Sequence, residues 1–273
     1  MEDYIVNKIL DVLNTVGSLG SGILIQSPET FNTTLYNGII NIMENAVKPV
    51  ASIILGIFLG LELYNISTRA EGMSNLGIEI PMKTLLKFVL CKVVMDNLKL
   101  ILLAMYEISS AIITNMNGVF SSTITTNTTN IEAINSTVAS MEFGVQLLTS
   151  VEVTIIWLLI KLVSVLVTVI VIARMVELYV LIAISPVPTA TLPNAEASSI
   201  AKNFLKVFLA VCIQGVLIFL VVSMFGIIVS SVGLSVDGAE FTKSLFTILG
   251  YAIVLIISLF STGKWAKSIC NAM

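Results

Sequence analysis

The chain has 273 residues, 56% of them hydrophobic and only 11% charged, with a net charge of −3 and a mean hydropathy of +1.00. A soluble domain carries about 25% charged residues, so a soluble core is excluded, and the few scattered lysines and arginines offer no basic field for sequence-specific nucleic-acid binding. With no histidine and only Cys91, Cys212 and Cys270, far apart, neither a disulfide scaffold nor a local zinc set can be assembled, and no metal or other cofactor is expected.

Windows of about 20 apolar residues point to helical membrane spans rather than to the short alternating strands of a barrel. Residues 1–34 form an extracytoplasmic segment that opens amphipathically, with Ile5, Ile9, Val12, Leu13 and Val16 on one helical face and Asp3, Asn7, Asp11 and Asn14 opposite. Its acidic start lacks the basic region of a cleaved signal peptide, which leaves insertion to internal spans. The membrane domain occupies 35–273. Its first span, near 46–64, has Pro49 close to the start, where a helix tolerates proline. Ser52, Gly56 and Gly60 repeat every four residues, a small-residue face suited either to internal packing or to oligomerisation.

From Ser67 to Pro81 the apolar pattern breaks at Arg69, Glu71 and Glu79, as in an interfacial loop, and Pro81 suits the first turn of a new helix. The second span, near 88–117, is the most charged, carrying Lys92, Asp96, Lys99 and Glu107. Each such charge costs about 2.5–3.5 kcal/mol on insertion scales. Lys92 with Asp96, and Asp96 with Lys99, have helical spacings that allow mutual neutralisation. Glu107 and Lys161 fall at matching depths in spans two and three and are expected to pair. These groups read as structural neutralisation between packed helices or as the wall of a water-filled path, with proton relay a third option.

Residues 118–150 form a polar outer loop with no lysine or arginine between Lys99 and Lys161. From 151 to 185 the apolar run would reach roughly 52 Å as one straight helix, beyond one hydrocarbon layer. A third span at 151–173 is therefore expected to exit at Arg174 and Glu177. A partial or re-entrant element over 175–190 follows, ended by Pro186 and Pro188. The fourth and fifth spans lie near 207–232 and 245–261, separated by a short loop with Asp237 and Glu240. Gln214 suits an interhelical hydrogen bond better than a pore lining, and Trp265 an interfacial anchor.

The fold class is thus all-α: a polytopic membrane protein of about five transmembrane helices, a proline-terminated partial or re-entrant helix and an N-terminal amphipathic helix. If the 175–190 element does not cross, Arg69, Lys83, Arg174, Lys202, Lys206, Lys264 and Lys267 share one side and mainly Lys8, Lys48 and Lys243 lie opposite. That asymmetry puts the N-terminus outside a bacterial plasma membrane and the C-terminus in the cytoplasm. No phosphate loop, GxSxG, HExxH or dinucleotide turn is present, so the chain is not read as an enzyme.

The stretch Ala173-Arg-Met-Val-Glu-Leu-Tyr-Val-Leu-Ile-Ala-Ile-Ser-Pro-Val-Pro-Thr-Ala190 resembles the TrbL-like integral membrane proteins of conjugative type IV secretion systems. The resemblance continues through Lys202-Asn-Phe-Leu-Lys-Val-Phe-Leu-Ala-Val-Cys-Ile-Gln-Gly215 to Gly263-Lys-Trp-Ala-Lys267, covering the C-terminal half; the N-terminal half matches only in hydropathy. The compact length looks like versions on mobile elements of Gram-positive bacteria. The resemblance implies a channel subunit passing DNA and relaxase from cytoplasmic ATPases into the translocation path, in transient contact with DNA. Membrane lipid and other secretion subunits would be its partners, and it would assemble as a homo-oligomeric ring, for example a pentamer. Arg174 and Glu177 would pair locally or meet a partner ATPase. A stand-alone secondary transporter or permease, with the broken element lining a midplane site, and a non-conducting scaffold remain as alternatives.

Overall fold

The structure, a computed structural model, describes residues 2–18, 24, 26–70, 79–124, 136, 138–231 and 238–272. Glu71, Asp237 and the centre of the polar outer loop lie outside these. Among the described residues the chain is helical, without strands: α1 (Glu2–Ser18), α2 (Pro28–Phe31), α3 (Thr33–Ile42), a wide π turn (Met43–Val47), α4 (Lys48–Ala70), α5 (Glu79–Asp96), α6 (Leu98–Ile124), α7 (Phe143–Ile184), α8 (Pro186–Thr189), α9 (Ser198–Ser231) and α10 (Gly238–Ile269). Five stretches are long and apolar enough to cross a membrane: Thr33–Thr68, Leu98–Phe120, Phe143–Ile184, Ser198–Val229 and Phe246–Ile269. The chain is therefore an all-α polytopic membrane protein. Helices suit that setting because each satisfies its own backbone donors and acceptors where no water can.

Three helix boundaries differ from expectation, each for a local reason. The first span starts at Thr33, where the Asn32 side chain caps α3 by accepting from the Leu35 amide at 2.9 Å. Pro49 consequently lies deep inside a continuous helical stretch rather than near its start. Proline there removes an amide donor and crowds the preceding turn, and the wide turn directly before it absorbs that strain, the Lys48 amide reaching back five residues to the Met43 carbonyl. The second span starts at Leu98 rather than near 88. At Asn97, between α5 and α6, the side-chain amide (2.9 Å) joins the backbone amide (3.1 Å) on the Val93 carbonyl. Lys92 and Asp96 thus sit on α5, ahead of the span.

The third difference is the largest. No break occurs at Arg174; α7 runs for 42 residues, from Phe143 to Ile184. It contains no proline, and residues 175–184 form its last turns instead of a separate element. The helix does end at the prolines, as expected. Pro186 has no amide for the Ile182 carbonyl, and the Ser185 hydroxyl takes that acceptor at 2.7 Å.

The chain forms two compact units. The first comprises residues 1–25, 110–173 and 214–263. Its core joins Ile5, Ile9 and Val12 of α1 to Val153, Ile156, Ile160, Val163 and Val167 of α7, whose three- and four-residue spacings make one continuous stripe. Phe219 and Val222 of α9 and Leu255 and Leu259 of α10 complete it, and the rings of Phe120 and Phe219 meet edge to face at 6.3 Å. The opposite face of α7 leaves Leu158 and Val165 more than 60% exposed, as a lipid-facing surface requires.

The second unit comprises residues 26–109, 174–213 and 264–273. Leu98, Leu102 and Tyr106 of α6, Met175, Leu178 and Ile182 of α7, and Phe204, Phe208 and Val211 of α9 fill its main core. Ala51 and Leu55 of α4 meet Met95 of α5 and Ala190, just beyond α8, in a second cluster. Ala51 is fully buried there while Ile53, two residues on, is 66% exposed. Ala51→Phe should overpack this contact at a cost of roughly 1–3 kcal/mol, whereas Ile53→Leu should fall within about 0.5 kcal/mol of wild type. Thermal melts of the two variants in detergent check this; equal melting temperatures would contradict the assigned packing.

Candidate functional site

The second unit concentrates the polar groups that the apolar helices must accommodate. Arg174, the first residue of α7 in this unit, is buried, 1% exposed. Its Nε donates to the Val211 carbonyl of α9 at 3.0 Å, and the guanidinium carbon lies 5.7 Å from the Tyr106 ring centroid. The two terminal nitrogens, Nη1 and Nη2, have no hydrogen-bond partner among the described residues. A buried cation is normally paired because its desolvation costs several kcal/mol; here one carbonyl and one aromatic face carry the compensation. Glu177, expected to pair with Arg174 or to meet a partner, is exposed on α7. The guanidinium turns inward onto α6 and α9 rather than outward to solvent.

Two tyrosines flank this centre. The Tyr106 hydroxyl donates to the Gln26 carbonyl and the Tyr179 hydroxyl to the Pro28 carbonyl, each at 2.6 Å, which pins the chain entering α2 against α6 and α7. Beyond Ile184, the proline turn is largely self-satisfied. Thr189 donates to the Ser185 carbonyl at 2.8 Å and Thr191 to the Pro188 carbonyl at 2.8 Å. Asn194 accepts from the Glu196 and Ala197 amides and donates to Glu62 of α4 at 3.3 Å. Pro186 is buried and Pro188 partly so, so the motif acts as a packed connector.

Beside it lies an ion cluster. Lys48 meets Glu44 at 2.8 Å and Asp96 at 3.4 Å, and Lys92 meets Asp96 at 3.2 Å. Lys92 also donates to the Ser52 hydroxyl at 3.4 Å. Two ammonium groups and two carboxylates thus neutralise one another across α4 and α5. The expected Lys92–Asp96 pair is present, but Asp96 takes Lys48 rather than Lys99, whose ammonium lies 5.7 Å from the Tyr36 ring centroid instead. A lysine from the preceding helix competes successfully because α4 packs against α5. Gly56 and Gly60 are exposed, with nothing within 4 Å of where a Cβ would be.

In the first unit, α1 docks on α7 through charge. Trp157 donates its indole N–H to Asp11 at 2.5 Å, and Lys161 donates to Asp11 and to Thr15 at 3.0 and 2.9 Å. The Lys8 ammonium lies 3.2 Å from the centroid of the Trp157 ring, and the hydroxyls of Tyr4 and Thr154 are 3.1 Å apart. Lys161 therefore takes Asp11, and the pair expected with Glu107 is not made; Glu107 is exposed. Gln214 abuts Gly263 of α10, its Nε2 within 3.5 Å of a Cβ built there. Asp11 and Tyr106 escaped the sequence reading as site residues because their partners lie far along the chain, as does Asp96, the second partner of Lys48. Only the polar face of α1 pointed to one of them.

A family model described as TrbL/VirB6 plasmid conjugal transfer like protein matches residues 12–186. No curated protein and no solved structure matches the chain. The matched range includes the run from Ala173 to Pro186 but not 202–215 or 263–267, and it lies mainly in the half that was expected to match only in hydropathy.

The Asp11 carboxyl is held below the ordinary carboxylate range, first by the Trp157 indole hydrogen bond and then by Lys161. A depressed folded pKa contributes stability fully above the unfolded value of about 3.9 and loses it as pH falls through the lower folded one. In a Trp265→Phe background, Trp157 emission should therefore stay constant from neutral pH down to about 4 and shift only below that. Asp11→Asn should shift it at every pH. An unchanged spectrum in Asp11→Asn would refute the docked arrangement.

Proposed function

Because the chain belongs to the TrbL/VirB6 plasmid conjugal transfer-like family, we propose that this multi-pass conjugal-transfer membrane subunit helps form the inner-membrane translocation path of a type IV secretion apparatus, or its assembly base. The observation that carries this reading is how each unit is filled. Apolar side chains occupy both cores, and the ion cluster of α4 and α5 and the Asp11–Lys161 pair are neutralised within their own units. A path wide enough for DNA then has to run between subunits, which favours a homo-oligomeric ring. The unfilled Gly56 and Gly60 face of α4 suits close approach of a neighbouring helix, and the exposed Glu177 remains available to another secretion subunit.

The orientation is N-terminus outside and C-terminus cytoplasmic. Burial removes Arg174 from the basic-residue count, but Arg69, Lys83, Lys202, Lys206, Lys264 and Lys267 remain on the assigned inner side. Lys206 donating to the Asn271 carbonyl at 3.3 Å supports placing the start of α9 and the C-terminal tail together.

Conjugation from a donor lacking this gene, complemented in trans with protein levels checked by blot, tests the proposal. Wild type should restore transfer and the empty vector should not; undiminished transfer in the deletion strain would reject the assignment. Arg174→Met should fold at least as stably as wild type, since replacing an incompletely paired buried charge by an apolar side chain is often neutral or stabilising by about 1–4 kcal/mol. A marked fall in its melting temperature would show that the Val211 and Tyr106 contacts fully compensate the charge.

A further inference from the structure

The contacts between α1 and α7 advance in step along both helices. Tyr4 meets Thr154 at 3.1 Å, the Lys8 ammonium meets the Trp157 ring at 3.2 Å, and Lys161 reaches Asp11 at 3.0 Å and Thr15 at 2.9 Å. The two helices therefore run parallel, side by side, for about three turns. Ile5, Val6, Ile9 and Val12 are buried in the core of the first unit, which turns the polar face of α1 outward. Asp3 and Asn7 on that face are exposed, and the paired Asp11 and Lys161 side chains keep 44% and 38% of their surface accessible. At the same level, the neighbouring face of α7 exposes Ile155, Leu158 and Leu162. One side of this helix pair thus suits hydrocarbon and the other does not.

The partner of α7 in this pairing belongs to a stretch long and apolar enough to cross a membrane, Phe143–Ile184. Charged side chains at that depth face a bundle interior or a water-filled cavity, and the outer face of α1 is not an interior. It also makes a poor contact between copies of the chain, whose buried centre would be apolar and depleted of charge: Tyr4 is the one large exposed apolar side chain among the described residues of α1, beside Asp3, Asn7, Lys8 and Asp11. We propose that α1 lies at the depth of the membrane-crossing part of α7, rather than on the outer surface, and that its polar face lines the water-filled translocation path. This rests on the reading given above, in which the path runs between subunits. The Asp11–Lys161 pair then anchors the lining helix, with water solvating the open side of both charges.

The test uses donor cells carrying the complete transfer apparatus and four variants, Asp3→Cys and Asn7→Cys on the polar face, Leu158→Cys and Leu162→Cys on the apolar face at the same level. An anionic, membrane-impermeant methanethiosulfonate is applied to the donors, and the modified position is read by peptide mass spectrometry, which separates it from Cys91, Cys212 and Cys270. Both α1 thiols should react and both α7 thiols should not, and labelling should block transfer from the Asn7→Cys donor while leaving the Leu158→Cys donor at its untreated frequency. Unreactive α1 thiols would overturn the proposal, since lipid or another chain would then cover the face. Reaction at all four positions would overturn it too, because that level would lie outside the hydrocarbon layer. Labelled α1 thiols with undiminished transfer would show water at the face but no translocation path along it. Each of these leaves the conjugal-transfer assignment standing, whereas undiminished transfer in the deletion strain removes the assignment itself.

Discussion

A charge carried on a helix through an apolar layer has to meet a counter-charge, a dipole or water, and this constraint decides how the helices of this protein are arranged. Lys161 lies within a long hydrophobic run, and Asp11 of α1 answers it. That pair, with the Trp157 indole and the Lys8 ammonium, turns an amphipathic N-terminal segment into a docked helix. Lys48 and Lys92 are answered by Glu44 and Asp96, and the same contacts hold α4 against α5. Arg174 is the exception that defines the second unit: its side chain reaches the Val211 carbonyl and the Tyr106 face, and two nitrogens are left unmatched. Since burying a charge is costly, the positions of α6 and α9 around it are constrained more tightly than aliphatic packing alone would require.

The backbone meets the same constraint. A proline within a helix removes a donor, and at Pro49 and Pro186 the chain supplies a local remedy. Before Pro49 the helix widens for one turn so that the Lys48 amide bonds five residues back. At Pro186 the Ser185 hydroxyl takes the Ile182 carbonyl, and the threonines and Asn194 that follow satisfy the carbonyls and amides of a tight connector. These remedies allow a proline-rich turn to pack against α4 and α5 instead of opening into solvent. They make the connection between the third and fourth spans a packed, hydrogen-bonded one.

The number and kind of elements were legible because they rest on local properties. Runs of apolar residues predict spans from hydrocarbon thickness alone, and the periodicity of Ile5, Ile9 and Val12 predicts an amphipathic helix from its own face. The Lys92–Asp96 pair was legible for the same reason, since its spacing belongs to a single helix. The surroundings of Arg174 were not legible, because nothing local signals that a carbonyl 37 residues later will accept from it.

The amino-acid sequence by itself therefore determined the class of protein, five membrane-crossing helices and the proline stop after Ile184, since each follows from hydrophobicity, period or a missing amide within one segment. Tertiary structure decided which charges meet. Asp11 finds Lys161 across 150 residues and Lys48 displaces Lys99 as the second partner of Asp96. Such pairings depend on which helices become neighbours, and that is settled by the complementarity of whole helix faces, a property no single segment contains.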